Sequence, residues 1–241
     1  MDKLKAVIQA GGKGTRLAPY STVLPKALMP IGEGTVIDSM LELFAAAGVS
    51  TVFITVSKLG PLIRSYCGDG ARWGVEIVYV DESKPLGTIG PLDPIREQLD
   101  GTFLVANSDI YIDLDVASML ALHRAEGSLL TVAVTSQSVK IGYGVLDRDG
   151  HRVTGFREKP TERFTVSTGI YCMEPGIFQY IPHDTPFGFD ELMTAMLQSG
   201  TPVSAYAHPG TWIDIGQIED LRRAQEQVAS QIPQNPDASD D

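Results

Sequence analysis

The run AVIQAGGKGTRLAPYSTVLPKALMPI, from Ala6 to Ile31, constrains this chain more than any other segment. Leu4–Ala10 is a short apolar stretch with a Val-Ile pair, which predicts a central parallel strand buried on both faces. A glycine-rich turn carrying cations follows at once, and a proline-rich loop adds another. Gly11, Gly12 and Gly14 have no Cβ, so main-chain N–H groups there can close on phosphate oxygens. Lys13, Arg16 and Lys26 place positive charge where a nucleoside triphosphate is most negative.

Two familiar phosphate loops do not fit. A P-loop needs Gly-Lys followed directly by Ser or Thr, whereas Gly12-Lys13 is followed by Gly14. The dinucleotide fingerprint needs a third glycine where this chain has Leu17. The added Thr15-Arg16-Leu17 and Pro25-Lys26 therefore define a different loop.

Beyond it, strands alternate with helices. Ile37, Met40, Leu41 and Phe44 share one helical face, and Gly48 stops that helix. The pattern predicts strands at Thr51–Val56, Val75–Val80, Thr102–Ala106 and Leu129–Val134. It predicts helices at Leu62–Tyr66, Leu92–Leu99 and Val116–Ala125, the last capped by Asp115 and closed by Gly127. Such alternation implies βαβ units and a mostly parallel α/β sheet. After about Gln137 short strands dominate: Tyr143–Asp147, Arg152–Phe156, Gly169–Met173 and Val203–Ala207, with Asp147–Gly150 as a hairpin turn. No Ser-, Gly- or Pro-rich linker separates the halves. The expectation is one domain over residues 1–229, with a nucleotide-binding lobe at 1–137 and a β-rich second-substrate lobe at 138–229. Residues 230–241 read as a disordered acidic tail.

A formal charge of −11 over 241 residues argues against nucleic acid or an anionic membrane as partner. It does not argue against a phosphate held by local cations, because salt screens charge beyond about 8–10 Å. Cys67 and Cys172, far apart, read as small buried hydrophobes, and the four histidines show no metal-ligand spacing. No signal peptide and no apolar run of transmembrane length is found, so a cytoplasmic protein is expected.

The ordered motifs resemble the sugar-1-phosphate nucleotidylyltransferase family. They are Gly11–Leu17, Pro25–Ile31, Asn107–Ile110, Tyr143–Val145, Glu158–Pro160, Gly169–Tyr171 and Trp212–Gly216, and the resemblance extends to about Val228. It implies a Rossmann-like (GT-A-like) sheet with a smaller β-rich sugar-binding lobe, and a Mg²⁺-dependent transfer of a nucleotidyl group to a sugar 1-phosphate. Arg16 and Lys26 would act on the triphosphate. Asp109, at the end of a strand, and Asp214 would hold the metal. Gln9, Gly11, Gly12, Gly14, Thr15, Gly87 and Thr88 would hold the nucleotide. Gly144, Glu158, Lys159, Ser167 and Thr168 would hold the sugar phosphate, although relatives often have Asn at the position of Ser167.

The segment Leu86-Gly87-Thr88 and the stretch Phe187–Asp190 look more like guanylyltransferases of the mannose or heptose type, which favours GTP. Transfer from dTTP, UTP, CTP or ATP, and a cyclitol phosphate acceptor, stay open, as does a homodimer. A binding subunit without turnover would be expected to lack a cation or a metal ligand, and Arg16, Lys26, Asp109, Lys159 and Asp214 are all present.

Overall fold

The computed structural model describes residues 3–12 and 14–231. In chain order the elements are β1 (Lys5–Gln9), β2 (Pro30–Ile31), β3 (Gly34–Thr35), α1 (Val36–Ala46), β4 (Thr51–Val56), α2 (Gly60–Cys67) and β5 (Glu76–Asp81). Then come β6 (Phe103–Asn107), β7 (Ile110–Ile112), α3 (Val116–Glu126), β8 (Leu130–Lys140), β9 (Val145–Asp149) and β10 (Arg152–Arg157). The last are β11 (Thr161–Met173), α4 (Phe189–Gln198), β12 (Val203–Ala207), β13 (Trp212–Asp214) and α5 (Ile218–Gln231). Lys13 and residues 232–241, most of the expected tail, lie outside the described residues.

The main sheet has seven strands in the order β12-β8-β11-β6-β1-β4-β5. β6, β1, β4 and β5 run parallel, and β12 is parallel to β8. β11 is antiparallel to both of its neighbours, β6 and β8. The sheet is therefore mostly parallel and covered by helices, an α/β architecture.

Burial on both faces explains the apolar strands. Ala6 and Ile8 of β1 face the same core as Val52 and Ile54 of β4, with Ile37, Leu41 and Phe44 of α1 packed over them. Val7 and Phe53 point the other way, into a core closed by Leu92, Leu192 and Met196. Cys67 and Cys172 are free and buried, and burial pushes both thiols up to about 12. A third cluster is smaller. Leu17, Met29 and Ile31 pack against Ile213, Ile215, Leu221 and Ala224, pinning α5 and β13 to the loop that follows β1.

Three local expectations change. The segment over Leu92–Leu99 is a 3₁₀-helix spanning Gly90–Gln98, because Pro94, past the first turn, removes a donor an α-helix would need. The hairpin turn falls at Gly150-His151, since β9 pairs through Asp149 with Arg152. β8 and β11 are also longer than predicted. They extend past the core as an antiparallel ribbon, Thr161 opposite Lys140, that a burial-based reading misses because its residues are largely exposed. Asp115 caps α3 as expected, accepting from Ser118 N at 3.0 Å. Among the described residues no helix is long and apolar enough to cross a membrane.

Asp115→Ala should lower unfolding stability by about 1 kcal/mol without changing the urea m-value, since only a helix cap is lost. A urea titration followed by circular dichroism reads it directly.

Candidate active site

The parallel strands deliver their C-terminal loops to one edge of the sheet. β6 ends in Asn107-Ser108-Asp109, β1 in Ala10-Gly11-Gly12, β4 in Ser57-Lys58 and β5 in Glu82. Together they line a cleft of about 600 Å³, with Gln9, Gly12, Lys26, Glu82, Thr88 and Asp109 among its walls.

At one end sits a charged cluster. Lys26 Nζ lies 3.0 Å from Asp109 Oδ2, with the two side chains 12% and 24% exposed. Asp214 joins them through the backbone. β13 pairs with β7 so that Asp214 lies opposite Ile110, and Ile215 N donates to Asp109 O at 2.7 Å. Arg16 arrives from the 3₁₀ turn Thr15–Leu17. A Cβ placed on Gly216 would be 3.3 Å from Asp214 Oδ1 and 3.4 Å from Arg16 Cζ, so both groups converge over that bare backbone. The apolar neighbours fix this arrangement, because Leu17 beside Arg16 and Ile213 and Ile215 beside Asp214 share one buried cluster. Burial raises the Asp214 carboxyl above the usual carboxylate range, and the charge of Asp109 raises it further against the pull of Arg16 and Lys26. Asp113 is drawn off to His208, 3.0 Å away.

Other walls of the cleft carry groups suited to recognition. Gln9 carries an amide whose Oε1 and Nε2 are buried with no hydrogen-bond partner among the described residues. Each such atom costs about 1–3 kcal/mol, so a ligand is the expected partner. Glu82 lies against the glycine turn, where a Cβ on Gly11 would come 2.7 Å from its carboxyl carbon. Burial raises the Glu82 carboxyl too. Gly14 has φ +60°, and a Cβ there would meet Lys26 Cγ at 2.9 Å, so glycine lets the loop fold over the lysine stem. Thr15 starts the single 3₁₀ turn Thr15–Leu17 that presents Arg16.

Gly87 has φ +81°, and any Cβ there would strike Phe187 O at 2.7 Å. Thr88 Oγ1 accepts from Phe189 N at 3.0 Å. This pair ties the rim of the cleft to the start of α4.

The remaining predicted residues lie on the β8–β11 side. Gly144 sits under Phe156 and Glu158, whose Oε2 would be 3.2 Å from a Cβ at that position. Lys159 is exposed, has φ 43° and pairs with Glu158 at 3.8 Å. Ser167 Oγ accepts from Gly169 N at 3.2 Å and lies 3.4 Å from the Tyr171 hydroxyl. Thr168 is 1% exposed and gives its hydroxyl to Ala133 O, while its own carbonyl accepts from Trp212 Nε1 at 2.8 Å. Thr168 thus braces β13, two residues from Asp214. Arg16, Lys26, Asp109 and Asp214 come together. Gly144, Glu158 and Lys159 form a separate group on the hairpin.

Sequence reasoning did not single out Glu82 or Trp212 as site residues. Glu82 lies two residues past the predicted strand Val75–Val80, and only the observed end of β5 at Asp81 puts it directly on the same sheet edge as the glycine turn. Trp212 stands in the motif Trp212–Gly216, but its bond to Thr168, distant in the chain, had no signal.

Gly14→Ala should cost about 1–2 kcal/mol of stability, from its left-handed backbone. Gly12→Ala, with open space around its Cβ position, should stay within about 0.5 kcal/mol of the parent. Paired thermal melts read the contrast.

Comparison with known proteins agrees with this geometry. The pattern of the nucleotidyl transferase family matches residues 5–231. The UTP--glucose-1-phosphate uridylyltransferase of Synechocystis sp. is 34% identical over 96% of this chain and 65% of its own length. The mannose-1-phosphate guanyltransferase of Neurospora crassa is 32% identical over 90% of this chain and 62% of its own length. The chain therefore spans a little under two thirds of these relatives. The structure of HddC from Yersinia pseudotuberculosis complexed with GMP-PN superposes with a TM-score of 0.72 at 25% identity, covering 92% of this chain and 98% of that one. With its seven-stranded sheet and the glycine turn at the C-terminal edge, the chain belongs to the nucleotidyl transferase family.

Proposed function

We propose that this chain transfers a nucleotidyl group, GMP from GTP, to a sugar 1-phosphate of the mannose or heptose type, releasing pyrophosphate. The observation that carries the reading is the convergence of Arg16, Lys26, Asp109 and Asp214 beside a cleft whose walls include Lys26, Asp109, Gln9 and Glu82.

The reaction joins two anions. A phosphate oxygen of the sugar phosphate attacks the α-phosphorus, and the bond to the β-phosphate oxygen breaks with its electron pair leaving on pyrophosphate. The attacking oxygen is already ionised at neutral pH, so cations and alignment do the work rather than a strong base. Arg16 forks onto the terminal phosphates and Lys26 meets them from the proline-rich loop. Gly11, Gly12 and Gly14 close their N–H groups on the same oxygens.

The family resemblance implies magnesium, and the donor set fits it. Two partly buried carboxylates on one sheet edge offer hard oxygens and leave positions open for phosphate and water. When bound, the ion neutralises phosphate charge and favours in-line geometry. On the hairpin side, Lys159 meets the phosphate of the sugar, Glu158 accepts from its hydroxyls, and Gly144 and Ser167 leave room for the ring.

Guanine is favoured by Glu82. Its carboxylate accepts two hydrogen bonds from a base that presents two adjacent donors, and guanine offers N1–H and N2–H on one edge. Uracil and thymine offer a single N–H between two carbonyls, which a carboxylate repels. The unpartnered Gln9 amide supplies a donor for guanine O6. The mannose-1-phosphate guanyltransferase relatives and the GMP-PN complex of the HddC protein agree with this choice. The 34% identical uridylyltransferase supports a second reading, UTP as donor with glucose 1-phosphate.

A pyrophosphate-release assay crossing five nucleoside triphosphates with mannose, heptose, glucose and cyclitol phosphates tests both readings. GTP with a mannose- or heptose-type acceptor should give the highest kcat/KM, and Glu82→Gln should raise the KM for GTP about ten- to a hundredfold while improving UTP relative to it. A wild-type preference for UTP, or Glu82→Gln without effect on base choice, would overturn the guanine assignment. No release with any pair would overturn the enzyme reading.

A further inference from the structure

Behind the glycine turn lies a second cavity, of about 530 Å³. Ser21, Thr22, Lys26, Ser57 and Lys58 supply its polar wall. Ala10, Gly12, Lys26, Ser57 and Lys58 also line the reaction cleft, so the two spaces adjoin.

The charge of the two linings differs. The reaction cleft includes the carboxylates of Glu82 and Asp109, whereas the described lining of the second cavity contains two lysines, three hydroxyls and no carboxylate. In a chain with a net charge of −11, a lining without carboxylates is locally less negative, and with Lys26 Nζ held by Asp109 at 3.0 Å its free cation among the described residues is Lys58. Lys58 Nζ and the Ser21 and Ser57 hydroxyls also have no hydrogen-bond or ion-pair partner among the described residues. Lys58 is exposed and stands at the end of β4, beside the strand that carries the glycine turn. Thr22 Oγ1 already donates to Pro19 O, but the Lys58 amine and the Ser21 and Ser57 hydroxyls have donors to offer, and they suit a small, highly charged oxyanion.

We propose that this cavity receives inorganic pyrophosphate, with Lys58 as a binding cation beyond Lys26. The proposal rests on the nucleotidyl-transfer reading for the source of that ligand. As the α-phosphorus bonds to the sugar phosphate oxygen and the bridging bond to the β-phosphate breaks, the electron pair stays on pyrophosphate and no proton is required. The product is then already against Lys26. Passing to Lys58 and the hydroxyls keeps it on cations and away from Asp109 and Glu82, which would repel it. In the reverse direction pyrophosphate enters by the same hollow, while the nucleotide sugar occupies the main cleft.

The test is isothermal titration of inorganic pyrophosphate into the wild type, Lys58→Met and Lys58→Arg, with reverse-reaction kinetics on the same proteins. Lys58→Met keeps the apolar stem and removes the charge at an exposed site. It should weaken pyrophosphate binding, and raise the KM for pyrophosphate, about tenfold or more, with Lys58→Arg recovering most of the loss. The KM for the nucleotide sugar should change less than about twofold, a split that a merely structural role would not produce. Wild-type pyrophosphate binding in Lys58→Met, or equal weakening of both substrates, would overturn the assignment. Calorimetry needs no turnover, so the two readings fail separately. Lys58-dependent pyrophosphate binding without turnover keeps the cavity and sinks the reaction. Turnover with Lys58→Met unaffected keeps the reaction and sinks the cavity.

Discussion

The short β7–β13 ladder is the constraint on which the site depends. Three residue pairs and the bond from Ile215 N to Asp109 O bring two aspartates from distant parts of the chain to one edge of the sheet. The ladder is too small to be stable by itself. It is held by what surrounds it: Ile213 and Ile215 bury against Leu17, Met29 and Leu221, and the Trp212 indole donates to the Thr168 carbonyl. The same cluster seats Leu17 and therefore aims Arg16. Loss of apolar packing here would disperse the charged groups even with every charge still present.

Holding two carboxylates together is unfavourable until a cation joins them. The Asp214 carboxyl is raised first by burial and then by Asp109. The folded chain thus binds that proton more tightly than the unfolded chain does. The stability tied to this group is present below the unfolded pKa and is lost as pH rises through the raised folded value. At neutral pH the pair stores repulsion that Lys26 and Arg16 only partly offset. A divalent ion and the phosphates it accompanies relieve that repulsion, so the chemistry and the electrostatics of the free site point to the same ligand.

Much of this was legible in the sequence because it is local. The β1 strand, the face of α1 formed by Ile37, Met40, Leu41 and Phe44, and the Asp115 cap follow from periodicity and capping chemistry over a few residues. The glycine turn with Arg16 and Lys26 was readable for the same reason. Other features were hidden because they depend on burial or on distant partners. Pro94 turned the helix predicted over Leu92–Leu99 into a 3₁₀-helix, whose Leu92 and Ile95 pack into the core. The exposed ribbon of β8 and β11 shows no apolar alternation to announce its length. Glu82 gains meaning only once β5 is seen to end beside Gly11. The joining of Asp109 and Asp214 could be inferred from resemblance, and the backbone bond that performs it could not.

The most direct measurement is a magnesium titration of pyrophosphate release by the wild type and Asp214→Asn, with thermal melts of both proteins. The account predicts that the wild type saturates with magnesium, and that Asp214→Asn melts at or above the wild-type temperature yet stays inactive across the whole titration. An Asp214→Asn protein with the turnover and magnesium dependence of the wild type would contradict it.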